Sequence, residues 1–260
     1  VRSLTMTKAS RTKQFFTPSL RVIFRRELAS YLTAPLAFVF IVIFLMLSGF
    51  FTFELGNFYF RGQADLEPFF LYHPWLYLFL IPALAMRIWA EERKTGSIEL
   101  LLTFPLTIAD AVVGKFLAAW VFTGMALLLT FPIWITVNYL GHPDNGAILS
   151  AYAGSWLMSG AFLSIGCCLS AATRNQVIAF ILTVTVCLVF VLAGFSMVLD
   201  SFNGWLPGAA MDALAQLSFL THFDAISRGV LDLRDILFFV VFIVYWLLAT
   251  AVVIEIKKSG

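Results

Sequence analysis

Charge is what this sequence is short of. Asp, Glu, Lys and Arg make up 12% of its 260 residues, against about 25% in a soluble domain, and hydrophobic residues make up 61%. The mean hydropathy is +0.92. So few charged groups cannot cover a water-facing surface, which makes lipid the solvent for most of the chain. Cysteine is scarce too: Cys167, Cys168 and Cys187 all fall inside apolar runs with no CxxC spacing. That excludes a disulfide framework and leaves small apolar packing groups as the reading, since a soft-metal path through these thiols with Met158 or Met197 has no spacing behind it. The three histidines, His73, His142 and His222, are too far apart to pair as metal ligands along one helix.

Enzyme signatures are missing as well. No GxxxxGK[ST] phosphate loop exists: Gly114-Lys115 is followed by Phe116 and lacks the upstream glycine, so the chain cannot hold ATP in that way. An intramembrane prenyl-type protease would need Arg four residues after Glu92, where Gly96 stands. Ser159 and Ser164 face no base, and a serine in a span more often bonds backbone or packs a neighbour. No catalytic activity is expected. The net charge of +2 gives no footprint for nucleic acid.

What the chain has instead is long apolar runs. A bilayer core takes about 20 helical residues to cross, and continuous runs without strand alternation select helices over a barrel. Six runs place spans at about 34–53, 69–89, 111–140, 147–173, 175–199 and 235–254, giving an all-α polytopic membrane protein with one transmembrane domain over 1–260. The first run is long enough to span and has no small-residue cleavage site after it, so it reads as the targeting signal itself. Val1 is read as an alternative start or the end of an upstream extension, with Met6 as a second start.

Basic residues set the orientation. With six spans both termini share one side, and 14 of the 17 Lys and Arg residues fall there; only Arg61, Arg228 and Arg234 lie opposite. Both termini are therefore expected in the cytoplasm. The outer loops lean acidic, through Asp65, Glu67, Asp144, Asp200, Asp212, Asp224, Asp232 and Asp235.

Before the first span, residues 19–33 put Leu20, Ile23, Phe24, Leu28 and Tyr31 on one helical side and Arg21, Arg25, Arg26 and Glu27 largely elsewhere. That is the pattern of an amphipathic helix lying in the membrane interface, serving as a lipid anchor, a contact for a cytoplasmic partner, or both. Thr33 and Pro35 then mark the elbow into span one. Between spans two and three lies the loop 90–107, "AEERKTGSIELLLTFPLT". Charged residues run to Lys94, Thr95 to Ser97 can break or cap a helix, an Ile-Glu-Leu-Leu-Leu element follows, and Pro105 stops it. Thr107 with Asp110 resembles a capping box that starts span three. A loop that merely turned round would not enclose such an apolar element, so 98–104 reads as a docking helix.

Together with "GKFLAAW" at 114–120, this loop resembles the cytoplasmic coupling region of ABC-2 type permeases, most closely the gliding-motility permease family, with the nitrous-oxide-reductase maturation permeases more distant. The resemblance implies an ABC-2 type permease fold and a transporter subunit whose ATPase is a separate polypeptide. Glu91, Glu92, Arg93, Gly96, Ser97, Ile98, Glu99 and Leu101 would then lie at or beside the ATPase cleft, with Arg21, Arg25, Arg26 and Glu27 as a second contact. It further implies no cofactor in this chain, ATP and Mg being bound by the partner ATPase. Two permease copies, a bacterial cytoplasmic (inner) membrane location and export also follow from it, with an auxiliary membrane or outer protein as a further partner. A scaffold that passes ATPase motion to an outer partner without moving cargo is the alternative reading. An orphan membrane anchor is the third.

Span four carries Ser155, Ser159, Gly160, Ser164, Gly166 and Ser170 at small-xxx-small spacing, the pattern of a packing helix. Pro74, Pro82 and Pro132 inside spans two and three are kink sites. Residues 200–234 suggest one or two short amphipathic helices at the outer face, anchored by Trp205 and serving as gate, dock or interface anchor. No unpaired charge sits at mid-bilayer, and the chain holds 28 Phe, so any cargo path is apolar and aromatic, which favours an amphipathic or lipidic substrate over a hydrated ion. A reporter fused after Gly260 is expected to be cytoplasmic; a signal accessible from outside intact cells would undo this topology.

Overall fold

In the computed structural model the described residues are 18–96, 107–201, 208–230 and 232–258. All their regular elements are helical. Helices α1 (Pro18–Thr33) and α2 (Pro35–Phe50) meet at Ala34, and α2 runs on into a π-helical turn, Phe51–Leu55. Then come α3 (Phe58–Arg61), α4 (Glu67–Leu71), α5 (His73–Ala85), α6 (Arg87–Thr95), α7 (Ile108–Leu128) and α8 (Phe131–Leu140). The remainder are α9 (Asn145–Ala172), α10 (Gln176–Leu192), α11 (Ser196–Ser201), α12 (Gly208–Gln216), α13 (Phe219–Ser227) and α14 (Leu233–Lys258).

Among the described residues four stretches are long and apolar enough to cross a membrane: Ala37–Arg61, Ile108–Leu140, Asn145–Ala172 and Leu233–Lys257. The other two expected spans are jointed. Residues 69–89 are divided among α4, α5 and α6, with a proline in the first turn of both α4 and α5, where the missing N–H costs nothing. The expected span 175–199 keeps a regular helix only to Leu192, the shorter apolar stretch. Just beyond it Gly194 lies so close to Ser218 and Thr221 that a Cβ there would collide with both side chains. The expected third span, 111–140, bends at 129–130. There the Thr130 hydroxyl turns back to the Leu127 carbonyl at 2.6 Å and meets the Tyr152 hydroxyl at 3.0 Å, and Pro132 heads α8. Caps mark the starts. Thr107 accepts the Asp110 N–H at 3.1 Å, which fits the capping box read from the sequence, and Asp144 accepts from Gly146 and Ala147 ahead of α9. Thr33 works otherwise than expected: its hydroxyl bonds back to Ala29 and Ser30, closing α1 rather than capping α2.

At the centre stands α9, buried along most of its length. It packs against α5, α6, α7, α10, α13 and α14. Its small residues permit this, because without a hydrophobic force between helices in lipid, close van der Waals approach and interhelical hydrogen bonds must hold the bundle. Gly154 sits under Ile226 of α13, and Gly166 under Ala85 of α5. Against α7 the contact is a reciprocal tryptophan clasp. Trp120 and Trp156 stack with ring centroids 4.3 Å apart, and each indole N–H donates to the other's carbonyl, at 2.9 and 3.1 Å. Gly124 and Gly160 face the two indoles. A Cβ on Gly160 would lie 2.7 Å from the Trp120 indole nitrogen, which the clasp does not leave free to move. Gly160→Ala is therefore expected to destabilise the solubilised protein by about 1–3 kcal/mol, the usual cost of overpacking. Gly49→Ala, with open space around it, should not. Heat-induced loss of the monodisperse chromatographic peak measures both, and equal melting of the two variants would contradict this packing.

Candidate functional site at the basic end of the bundle

Contacts gather the basic residues at one end. Here α1 and α6 lie beside the start of α7 and the last turns of α9 and α14. Arg93 of α6 donates to the Ala171 carbonyl and Lys257 of α14 to the Ala172 carbonyl, so two cations sit on the C-terminus of α9, where the helix dipole and the unpaired carbonyls favour them.

Lys115 organises this end. Its side chain is 4% exposed, and its ammonium donates to Glu92 of α6 at 2.7 Å, to Glu27 of α1 at 3.3 Å and to the Ile88 carbonyl at 3.3 Å. The same nitrogen lies 5.2 Å above the Trp89 ring. Three donors meet three acceptors, the condition under which a buried ammonium is tolerated. The neighbouring Gly114 completes the seat for α1: Ile23 packs where a Cβ would stand, at 2.9 Å, one turn from Glu27. The apolar side of α1 read from the sequence therefore rests in part on α7, with Leu20 and Ile23 buried. Burial alone would raise the Glu27 carboxyl; the Lys115 ammonium and the Arg26 guanidinium, 2.6 Å away, outweigh it and hold the group below its ordinary value.

A second device sits where α5 gives way to α6. The Ser170 hydroxyl of α9 enters the break, donating to the Met86 carbonyl at 3.0 Å and accepting the N–H groups of Trp89 at 3.1 Å and Ala90 at 3.0 Å. One donor and two lone pairs are all used, so this hydroxyl satisfies three backbone groups at the bend. The Trp89 indole points at Cys167 one turn earlier on α9, at 3.2 Å.

Of the residues singled out in the loop, Glu91 is tied to Arg87 at 2.9 Å, Glu92 joins Lys115, and Arg93 caps α9. Gly96 ends α6 with φ +74°, a left-handed conformation that glycine takes without strain. Ser97, Ile98, Glu99 and Leu101, with the expected docking helix 98–104, lie outside the described residues, as does Trp205. On α1, Arg21, Arg25 and Arg26 are exposed and Glu27 is half-buried. Two residues that matter here were not singled out. Lys115 carries a signal, as the one Lys, Arg, Asp or Glu between Asp110 and Asp144. Ser170 carries none, being one of several span-four serines read only as packing groups.

At the opposite end, His222 of α13 meets Asp235 of α14 at 2.6 Å and the Gln216 carbonyl at 2.8 Å, and stacks on Phe238. This pair fastens the segment before α14 to that helix. Among the described residues no three His, Cys, Asp or Glu side chains gather as a metal site would need.

Long apolar helices packed through small residues, with cations collected at one end, define a multi-pass helical membrane protein. The family described as ABC-2 family transporter protein matches residues 21–256, from α1 into α14, and the chain belongs to it. It is thus a permease component of an ABC transporter, in a family of membrane transport components that are generally not catalytic themselves. Membership implies association with an ABC ATPase subunit. No curated protein matches the chain.

Lys115→Met would leave two carboxylates facing each other without their cation, and breaking a buried ion pair from one side costs about 3–5 kcal/mol. The carboxylate side chains keep 17% and 20% of their surface exposed, which places the cost towards the lower end of that range. Glu27→Gln and Glu92→Gln added to Lys115→Met should restore much of the loss, and thermal melts of the single and triple variants test it. The Glu27 contribution has a definite sign with pH: a depressed carboxyl stabilises above its unfolded value and is lost as pH falls through the lower folded one. Wild type should therefore lose more stability than the triple variant below the ordinary carboxylate range.

Proposed function

We propose that the basic end is the cytoplasmic docking surface for the ATPase, and that α1 and the loop 90–107 carry its motion into the bundle. The observation that supports this best is the Lys115 triad. It fastens α1 to α6 through one buried cation, so a push on either the interface helix or the loop reaches the same point on α7. At or beside that surface would lie Glu91, Glu92, Arg93, Gly96, Ser97, Ile98, Glu99 and Leu101 of the loop, joined by Arg21, Arg25, Arg26 and Glu27 of α1, with Glu92 and Glu27 acting through Lys115. Exposed arginines on α1 and an apolar Ile/Leu element in the loop sequence would together suit a specific interface, in which charges set register and the plug fills a groove. ATP and Mg belong to the partner, this chain holding no cofactor.

In this reading six spans form one transmembrane domain in the bacterial inner membrane, with both termini in the cytoplasm. Two permease copies pair with two ATPase chains, and the cycle exports an amphipathic or lipid-like substrate. The likeness to gliding-motility permeases rests on the loop residues and says nothing of cargo.

A second reading has its own observation. Helix α9 is one unbroken rod of 28 residues. At its basic end it holds the α5–α6 bend through Ser170; at the other, Ser150 donates to the Ile226 carbonyl of α13 at 3.0 Å, and Gly154 seats the Ile226 side chain. A push at the basic end can thus reach the segment before α14 without any cargo path. That is the arrangement a mechanical scaffold acting on an outer protein would use. The two readings part on whether ATP hydrolysis responds to an amphiphile or to an outer protein.

Ile98→Asp and Leu101→Asp should release the ATPase from the permease or uncouple its hydrolysis, while membrane insertion stays intact. Affinity purification through a C-terminal tag with quantification of the co-purifying ATPase measures it. Unchanged recovery and unchanged hydrolysis would remove the docking assignment.

A further inference from the structure

Beside the Lys115 triad a cavity of about 740 Å³ opens between α1, α2, α5 and α6. Its two halves differ in chemistry. Towards the basic end its wall is Arg26, Arg87 and Lys115 with Glu27, Glu91 and Glu92, three charges of each sign, so spare donors rather than net charge decide what binds there; away from that end the wall is Val39, Phe40, Ile43, Leu80 and Leu84. Val39 is 51% and Ile43 40% exposed, so the apolar half opens sideways onto the face of α2 that meets hydrocarbon. With the basic end at the cytoplasmic interface, as proposed above, an opening at the elbow between α1 and the first span would face the bilayer at the level of its headgroups.

The charges narrow the occupant further. Lys115 reaches the cavity, but all three of its donors are used. Arg26 and Arg87 are different: a guanidinium has five N–H donors, of which Glu27 takes one from Arg26 and Glu91 takes two from Arg87. Both side chains remain partly open to the surroundings. Two guanidiniums with spare donors at the polar end of an apolar crevice match a phosphate, which guanidinium binds through paired N–H bonds.

We propose that this elbow cavity binds a lipid with an anionic phosphate headgroup from the adjoining leaflet, with Arg26 and Arg87 on the phosphate and an acyl chain along Phe40, Ile43 and Leu80. The inference rests on the transport reading only for the lipid's use as substrate; binding itself is measured on the permease. Because Glu27 belongs both to the cavity wall and to the Lys115 triad, occupancy reaches the contact that holds α1 to α7.

The test is native mass spectrometry of the full chain in mild detergent, titrated with dioleoyl phosphatidylglycerol, with dioleoylglycerol, and with inorganic phosphate as competitor. Wild type should retain phosphatidylglycerol, should hold dioleoylglycerol at least about tenfold less well, and should not release lipid to inorganic phosphate. Arg26→Gln with Arg87→Gln should lower phosphatidylglycerol retention about tenfold or more. Ala83→Phe, which fills the apolar half and leaves every charge in place, should lower it comparably and decides the matter if the arginine variant does not fold. Arg228→Gln, at the opposite end, should retain lipid as wild type does. Unchanged retention in Ala83→Phe, equal retention of dioleoylglycerol, or displacement by inorganic phosphate would overturn the assignment. Absence of a co-purifying ATPase would count against the docking surface and leave this measurement standing.

Discussion

A lysine at the rim of an apolar helix has to be neutralised, and much of the basic end follows from how that is done. Lys115 enters α7 with nearly all its surface covered, where an unpaired ammonium would cost several kcal/mol. It finds its counter-charges on two other elements, Glu27 of α1 and Glu92 of α6, and its third acceptor at the Ile88 carbonyl. One residue thus fixes how α1 lies, how α6 leaves the bundle and where both stand against α7. Gly114 beside it removes the side chain that would otherwise hold α1 away. Packing and pairing act together, because neither alone would set both the distance and the rotation of α1.

The second fixed point is the bend at Met86. A helix interrupted within a membrane strands backbone donors and acceptors at several kcal/mol each unless something fills the gap. Ser170 fills it from α9 with one hydroxyl. The position of α6 is therefore set by α9 as well as by α5. Arg93 repeats the link one turn on.

Much of this arrangement could be read in the sequence, for identifiable reasons. Apolar runs, caps and prolines are local signals, and they announced α2, α7, α9, α10 and α14, the start at Thr107 and the joints at Pro74 and Pro132. Gly96 as a helix stop is equally local. The small-residue spacing of span four marked α9 as the packing helix, though not which neighbour each glycine would receive. What stayed hidden depends on partners distant in the chain. Pro82, a kink site in the sequence, lies inside α5, while the break comes at Met86, where a serine more than 80 positions away completes it. The fifth span looks continuous to Leu199 but is regular only to Leu192, since Gly194 marks a close approach to Ser218 that no local pattern encodes. Glu92 was singled out for an external partner and is bonded within the chain. A charge pattern gives the need for a counter-ion and not its address.

That last difference bears on how motion would pass. If Glu92 and Glu27 met the ATPase directly, the interface would act on two separate elements. Bonded instead to Lys115, they make α1, α6 and the head of α7 a single polar unit, and the ATPase would meet its exposed side, through Arg21, Arg25 and Arg26 and the loop beyond Gly96. The joints then decide what moves. The chain bends at Met86, at residues 129–130 and at 193–195, while α9 between them runs unbroken. A force on the polar unit is therefore carried by one stiff helix and accommodated by its jointed neighbours. Whether cargo crosses or only force does, the same division of stiff and jointed elements is required, because a displacement spread evenly over every helix would deliver nothing at the far end.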